Sequence, residues 1–240
     1  MLIGYGYPYL AGGIRLGHLR PAVREAMMLD FITSRWADIA FRAYQHASLV
    51  IQAVIIATII ALAIAVLVTS YQRLAPFANG ISAVGLTIPS FALLGMLIPL
   101  VGIGTLPAIL VVIFYAILPI LRNAVVGLQS VDKSLIESAR GMGMSPTAVF
   151  FRVRLRIARP VIMTGVRIST QMSMGVAAIA AYVLGPGLGA YIYTGLSQIG
   201  GLNALNFALV GTIGVIIVAL IVDALLVLVS RLTTSKGLRA

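Results

Sequence analysis

Three charged residues lie within long apolar runs of the sequence, where few roles are open to them. They are Arg122, Arg167 and Asp223. A charge in the lipid interior is costly, so such groups pair with one another or face a cavity. At 1.5 Å per helical residue, Arg167 and Asp223 each lie about 10–12 Å from one end of their apolar run. These two ends face the same side of the membrane, so the two charges would lie at the same depth. We predict an ion pair between them, with a substrate or gating contact as the alternative. Arg122 is close enough to the interface to reach it by snorkelling.

Uncharged polar side chains form a second group of candidates. They recur in two of the apolar runs, where they could line the pathway of a solute. Small and hydroxyl residues also join membrane helices by hydrogen bonds, and this alternative stays open. The pathway candidates are Thr87, Ser90, Gln171 and Ser173.

The sequence lacks the residue sets that catalysis or metal binding needs. It has no cysteine, and its two histidines, His18 and His46, lack the spacing of metal ligands, so we predict them to be solvated or interfacial. No Ser/His/Asp set and no paired carboxylates fall within one apolar run. A Walker sequence, which cradles the phosphates of ATP, is also missing. We therefore expect no enzymatic activity and no cofactor or metal in this chain.

The composition is that of an integral membrane protein. Of the 240 residues, 60% are hydrophobic and 10% are charged, and the mean hydropathy is +1.08. A soluble domain carries about 25% charged residues. The net charge of +11 comes from basic residues beside and between the apolar runs. This placement is typical of cytoplasmic loops that face membrane lipid, and it argues against nucleic-acid binding.

Five apolar runs reach the ~20 residues that a helix needs to cross a bilayer. We predict helices because unpaired backbone cannot face lipid and the alternation of a β-barrel is missing. Pro89, Pro99 and Pro119 predict kinks, either as ordinary transmembrane prolines or as gating hinges. An amphipathic helix that lies in the interface is predicted over 31–44, and a short helix after the glycine-rich run 184–189. The predicted spans are 47–70, 80–101, 106–128, 160–184 and 206–230.

These elements divide the chain into three predicted regions. They are an N-terminal segment 1–45 with the interfacial helix, a transmembrane domain 46–230 and a tail 231–240. The polar loop 132–159 has six Lys and Arg residues against two acids, and the tail is also basic. The positive-inside rule places both in the cytoplasm, and five spans then leave the N-terminus outside.

The polar loop is predicted to fold as two short helices. Ser134 and Glu137 fit a capping box, so a helix is predicted to start there and to end at Gly141 and Gly143. Ser145 and Pro146 fit the N-cap and the first residue of a second helix. Folded across a corner of small residues, the two helices would form a compact knob that is suited to plug into a partner. The second helix carries an arginine stripe, Arg152, Arg156 and Arg159.

The spacing within this loop resembles that of a known family. Glu137-Ser138-Ala139, followed by three residues and Gly143, matches the EAA motif of ABC importer permeases. Flanking matches lie at 88–95, 102–108 and 160–163. Together they resemble the permeases of quaternary-amine (osmoprotectant) ABC importers over roughly residues 30 to 230. The chain departs from these relatives at Arg154, where Glu is frequent, at Arg156, where Pro is usual, and at Arg159, where an apolar residue is expected.

The resemblance implies an all-α integral membrane protein with the type I importer (MetI-like) permease fold, placed in a prokaryotic cell membrane. It implies a second permease, identical or different, with the pathway between the two. It also implies two cytoplasmic ATPase subunits, which would bind ATP and Mg, and an extracytoplasmic solute-binding protein. The ATPase-coupling residues that it implies are Glu137, Ala139, Arg140, Gly143 and Met144.

The function that the resemblance implies is ATP-driven import of glycine betaine, choline or carnitine. Import of a different small solute, such as an amino-acid-like one, is the alternative. A channel or secondary transporter that works without an ATPase, and a membrane scaffold, are alternatives of other classes. Only 8% of the residues are aromatic, and the one tryptophan, Trp36, lies outside the predicted spans. Because capture of a quaternary cation needs several aromatic faces, we expect selectivity to lie with the binding protein.

Overall fold

The computed structural model of the chain describes residues 21–233. Predictions for residues 1–20, including His18, and for residues 234–240 of the tail lie outside the described residues. Within the described part every regular element is a helix and no strand occurs. The prediction of an all-α protein is therefore confirmed.

Nine α-helices follow one another along the described residues. Two short 3₁₀ turns, Gln72–Leu74 and Ala180–Val183, and a π-helical turn, Phe150–Arg154, adjoin them. The helices are α1 Pro21–Ser70, α2 Ala75–Gly85, α3 Ser90–Val101, α4 Thr105–Gln129, α5 Lys133–Gly141, α6 Pro146–Val149, α7 Leu155–Ile179, α8 Gly189–Ser197 and α9 Ala204–Thr233.

The first helix, α1, is continuous over 50 residues, about 75 Å at 1.5 Å per residue. Residues 31–44 are helical, as predicted, but they run without a break into the first predicted span. Residues 22–70 contain no proline or glycine, so no residue in this stretch removes a backbone hydrogen bond or loosens the helix. The boundary predicted at residue 45 is therefore not marked by any interruption of the helix.

The second predicted span, 80–101, is not one kinked helix. It consists of α2 and α3, which meet at an angle of 93°. Pro89 precedes α3 with extended backbone (φ −65°, ψ 127°), and it has no N–H to continue the hydrogen bonds of a helix. Proline also disfavours helical backbone at the residue before it, Ile88. A single continuous helix over 80–101 is therefore absent, and the pair forms either one span that is broken before Pro89 or a re-entrant loop.

Three helices of the described part are long and apolar enough to cross a membrane. They are Met27–Ser70 within α1, α4 and α9 within its residues 204–232, and the α2–α3 pair adds a fourth if it is counted as one span. The fourth predicted span corresponds to α7, which has 25 residues but is more polar. Its polar side chains include Arg167 and Gln171. The chain is therefore a membrane protein with several spans.

The hydrophobic core lies where α1, α4 and α7 pack together. A Cβ atom on Gly165 of α7 would lie 2.7 Å from the Asn123 Cβ and 3.1 Å from the Pro119 carbonyl oxygen of α4. Such a close approach of two helices admits only glycine at this position. On α1, small side chains at i, i+4 spacing form a buried stripe that also permits close packing. The stripe is Ala53, Ala57, Ala61 and Ala65.

Candidate functional site

The predicted coupling residues lie on α5 and on the turn that follows it. Asp132 caps α5, because its carboxylate accepts a hydrogen bond of 2.9 Å from the Ser134 backbone N–H. The predicted capping box of Ser134 and Glu137 is therefore wrong, since Asp132 already supplies the cap two residues earlier. The hydrogen bonds from the backbone and side chain of Ser134 hold the pKa of the Asp132 carboxyl below its ordinary value.

A glycine turn ends α5. Gly143 has φ +80°, in the left-handed region that favours glycine. The Gly143 N–H donates to the Arg140 carbonyl at 2.9 Å, and the Met144 N–H donates to the Ala139 carbonyl at 3.2 Å. These bonds satisfy carbonyl groups that the end of a helix leaves without partners. The corner predicted at Gly143 is confirmed.

The predicted coupling residues differ in their exposure. Ala139 is only 2% exposed and holds α5 against the rest of the chain. Glu137, Arg140 and Gly143 are exposed, and Met144 is half-buried. The structure thus gathers the set on one helix and its turn, with an inward anchor and an outward polar face.

The second half of the polar loop begins as predicted but ends differently. The Ser145 hydroxyl accepts a hydrogen bond of 3.3 Å from the Ala148 N–H, and Pro146 is the first helical residue. From there α6, the π-helical turn and α7 follow without a break. The predicted short helix before the fourth span is therefore wrong. Residues 147–159 contain no glycine or proline that would end it, and α7 contains Pro160 inside its length.

The arginine stripe and Arg154 behave differently along this continuous helix. The stripe arginines are exposed. Arg152 lies within the π-helical turn and the other two lie in α7, so the step from the first to the second departs from the spacing of a regular α-helix. Arg154 is half-buried, and its Nη2 donates to the Leu128 carbonyl in the last turn of α4 at 3.2 Å. A cation at a helix C-terminus is favourable, so Arg154 fastens the polar loop to α4.

An ion pair joins α7 to α9. Arg167 donates from Nε and from Nη2 to the two carboxylate oxygens of Asp223, each at 2.9 Å. Gln171, one turn further along α7, also interacts with this carboxylate. The Arg167 and Asp223 side chains are 40% and 21% exposed within the chain. The pairing predicted from their depth is present, and its two parallel hydrogen bonds fix the orientation of the guanidinium.

The four pathway candidates fall in different environments. Thr87 is exposed in the break between α2 and α3, and Ser90 is half-buried at the start of α3. Gln171 is exposed on α7, whereas Ser173 is fully buried. The Ser173 hydroxyl has no hydrogen-bond partner among the described residues. Only Thr87 and Gln171 are therefore widely open to solvent or lipid in this conformation.

A neighbouring hydroxyl illustrates the alternative role for polar residues in these runs. Ser169, fully buried on α7, donates a hydrogen bond of 2.8 Å to the Ala116 carbonyl of α4. This bond joins two packed helices and leaves the hydroxyl inaccessible. Part of the polar character of α7 is thus used for packing.

His46 is not solvated or interfacial, so that prediction is wrong. It is fully buried, and its Nε2 lies 3.2 Å from the Met174 carbonyl oxygen. Gly187 (φ +120°) covers it so closely that a Cβ there would lie 2.7 Å from the His46 Nδ1. The glycine-rich run after α7 brings its backbone against this part of α1. Among the described residues, no group of His, Cys, Asp or Glu could hold a metal ion.

A polar and aromatic cluster that sequence reasoning missed joins α1 to α8 and α9. The Tyr191 hydroxyl donates to the Asp38 carboxylate at 2.7 Å, and the Arg42 Nε donates to the same carboxylate at 3.0 Å. The Arg35 guanidinium lies 5.1 Å from the centre of the Phe207 ring. Asp38 and Tyr191 are 153 residues apart, so no local pattern could have revealed their contact.

Comparisons with known proteins agree with this architecture. Residues 61–235 match the family described as "Binding-protein-dependent transport system inner membrane component". The chain is 35% identical over 212 residues to the choline transport system permease protein OpuBB of Bacillus subtilis (strain 168), which covers 88% of this chain and 96% of that relative. It is 37% identical over 201 residues to the osmoprotectant import permease protein OsmW of Salmonella typhimurium (strain LT2), which covers 82% and 92%.

Solved structures show the same fold. A chain of the MetNI methionine ABC transporter, crystallised in inward-facing conformations, matches with a TM-score of 0.69 and 26% identity. The match covers 82% of this chain and 96% of that one. The predicted type I importer permease fold is confirmed. The chain belongs to the family of binding-protein-dependent transport system inner membrane components.

Proposed function

We propose that this chain is the membrane-spanning subunit of an ATP-driven importer for a small quaternary ammonium osmoprotectant, such as glycine betaine, choline or carnitine. The observation that carries the proposal is its 35% identity to a choline permease over nearly the full length of both chains. The osmoprotectant permease OsmW, at 37% identity, supports the same class of solute.

The proposed coupling contact is α5 with its glycine turn. Glu137 and Arg140 are exposed on α5 and would contact a cytoplasmic ATPase subunit. Ala139, buried beneath them, would hold the helix in place, and the Gly143 turn would set its angle, with Met144 beside it. ATP and Mg would be bound by two such ATPase subunits and not by this chain.

Transmission from this contact would use the continuous helix that begins at Pro146. Because α6, the π-helical turn and α7 form one unit, a displacement of the polar loop would move α7 as well. The Arg167–Asp223 pair would then carry the movement to α9. Closure of the ATPase pair would in this way turn the helices from an inward-open to an outward-open arrangement.

The proposed assembly contains a second permease, identical or different, and an extracytoplasmic solute-binding protein. The polar loop and the C-terminus would be cytoplasmic and the N-terminus outside, because basic residues collect in the loop and the tail. The arginine stripe, exposed along the helix, would contact lipid headgroups or an acidic ATPase surface.

The pathway would lie between the two permeases, lined by Thr87, Ser90, Gln171 and Ser173. Ser173 is buried in this conformation, so it would reach the pathway only after the helices move. The aromatic rings of the cluster at Phe31 and Phe207 are occupied by the guanidinium of Arg35. Solute selectivity would therefore rest with the binding protein, and the permeases would offer a weakly binding polar path.

A second candidate is import of an amino-acid-like solute. It is favoured by the similarity to the MetNI methionine transporter, at a TM-score of 0.69 and 26% identity. The lower identity makes it the weaker of the two proposals.

Both proposals are tested by uptake into proteoliposomes that contain the chain, its ATPase and its binding protein. Labelled betaine, choline, carnitine and methionine are offered with and without ATP. ATP-dependent uptake of a quaternary amine is expected, while uptake of methionine alone would favour the second candidate. Uptake without any ATPase would contradict both proposals. Calorimetry on the permease–ATPase complex alone should detect no micromolar solute binding. Such binding would contradict the proposal that solute selectivity rests with the binding protein.

A further inference from the structure

A cavity of about 670 Å³ opens beside α5. Its walls are the last turn of α1 near Ser70, the end of α4 near Gln129, the exposed face of α5 that carries Glu137 and Arg140, and the start of the helix that leads to α7. This volume falls in the range of about 300–1,000 Å³ that small-molecule sites occupy. Because α1 and α4 are apolar spans that end here, the cavity lies at the level of a membrane surface.

The charges that line this cavity are unbalanced. Lys133, Arg140 and Arg154 face it together with one acid, Glu137. Within residues 21–233, none of these four side chains takes part in a salt bridge. A concave site with an excess of one sign of charge concentrates the opposite charge from solution. The cavity therefore favours an anion.

Arg154 carries a second, independent indication of an anion. Its Nη2 is bonded to the Leu128 carbonyl, but its Nε is buried and has no hydrogen-bond partner among the described residues. A buried donor without an acceptor is a costly exception in proteins. Burial lowers the pKa of the Arg154 guanidinium, and the charge of Arg140 adds to this effect. An anion between the two guanidinium groups would supply an acceptor and remove their mutual repulsion.

We propose that the cavity binds a phosphate group through Arg140, Arg154 and Lys133, supplied either by the headgroup of an anionic phospholipid or by a soluble phosphate ester. The planar guanidinium pairs with phosphate oxygens through two parallel hydrogen bonds, which makes arginine suited to this ligand. The inference concerns this chain alone and does not depend on the proposed transport function.

Native mass spectrometry of the full-length chain in a neutral detergent tests the proposal. Phosphatidylglycerol and phosphatidylcholine are titrated separately, and soluble glycerol phosphate is added as a competitor. Wild type should prefer phosphatidylglycerol. Displacement of the lipid by glycerol phosphate would identify a soluble phosphate as an equivalent ligand. Lack of displacement would identify the lipid as the source.

Two arginine variants locate the site. Arg140→Gln should weaken phosphatidylglycerol binding about fivefold, and its combination with Arg154→Gln about twentyfold, since each basic group contributes to holding an anionic headgroup. The Arg140 side chain is exposed and takes part in no salt bridge among the described residues, so we expect Arg140→Gln to fold as the wild type does. Arg73→Gln is the matched control, because Arg73 is exposed just beyond α1 and does not line the cavity.

Three outcomes would overturn the proposal. One is equal affinity of the wild type for the two lipids, and another is a loss in Arg140→Gln no larger than in Arg73→Gln. The third is normal lipid binding by both arginine variants together with loss of a co-purified ATPase. That result would make the cavity a protein contact. Arg154→Lys keeps the charge but loses the planar guanidinium, so it should bind phosphatidylglycerol more tightly than Arg154→Gln and less tightly than the wild type.

Discussion

Breaking the Arg167–Asp223 ion pair should destabilise the chain by a measurable amount. An exposed ion pair contributes about 0–1 kcal/mol, whereas a charge stranded in a buried site costs about 3–5 kcal/mol. The two side chains are 40% and 21% exposed within the chain, and their helices are surrounded by apolar surface. We therefore expect Arg167→Gln or Asp223→Asn to lower the free energy of unfolding by about 2–3 kcal/mol.

The measurement is a double-mutant cycle on the purified chain in lipid nanodiscs, followed by thermal or denaturant unfolding. The coupling energy between the two sites should be about 1.5 kcal/mol or more. Exchanging the charges, with Arg167→Asp and Asp223→Arg together, should recover most of the lost stability. The control pair is Arg42–Asp38, which lies within one helix at 3.0 Å and whose acid is 49% exposed, against 21% for Asp223. Its coupling should be only about 0.3–0.5 kcal/mol.

Two results would refute this reasoning. The first is a coupling energy for Arg167–Asp223 no larger than that of Arg42–Asp38. The second is a charge-exchanged protein as unstable as the single variants, which would mean that direct attraction between the two groups is not what stabilises them.

Three further predictions follow from the local geometry. Glu137→Lys and Gly143→Leu should abolish the stimulation of ATPase activity by loaded binding protein while the chain still inserts. Gly141→Leu is the control, because φ is not positive at Gly141 and the space around it is open, so this variant should keep the stimulation. Equal effects at the two glycines would contradict the role of the turn. Tyr191→Phe should lower the free energy of unfolding by about 1–2 kcal/mol through loss of the bond to Asp38, with Tyr193→Phe near neutral as its control. Replacing all three arginines of the stripe, Arg152, Arg156 and Arg159, by glutamine should reduce the amount of ATPase that co-purifies or alter the orientation of the chain in the membrane. Wild-type co-purification together with wild-type protease accessibility would count against this prediction.

Features that depend on neighbouring residues could be predicted from the sequence. Ser145 followed by Pro146 has the local chemistry of a helix start, and Gly143 has that of a turn, and both form as expected. The depth of Arg167 and Asp223 could also be estimated, because a helix has a fixed rise per residue.

Features that depend on competition between neighbouring residues for one role, or on packing between distant residues, could not be predicted from the sequence. Asp132 and Ser134 are both good N-caps, and only the backbone shows that Asp132 takes the role. The burial of His46 depends on the distant glycine-rich run, whose backbone covers it. The π-helical turn has no sequence signature, and it changes the expected spacing between Arg152 and Arg156.

The uninterrupted helix from Pro146 to Ile179 has a mechanical consequence. Its 34 residues form a rod of about 50 Å, and Arg167 lies about 30 Å from its loop end. If this rod tilts by ~5° about the loop end, Arg167 travels about 3 Å, whereas a hydrogen bond tolerates only about 0.5 Å of stretch. Either α9 travels together with α7, or both bonds to Asp223 break. The ion pair would thus make α7 and α9 move together, and they would separate only under a force large enough to break both hydrogen bonds.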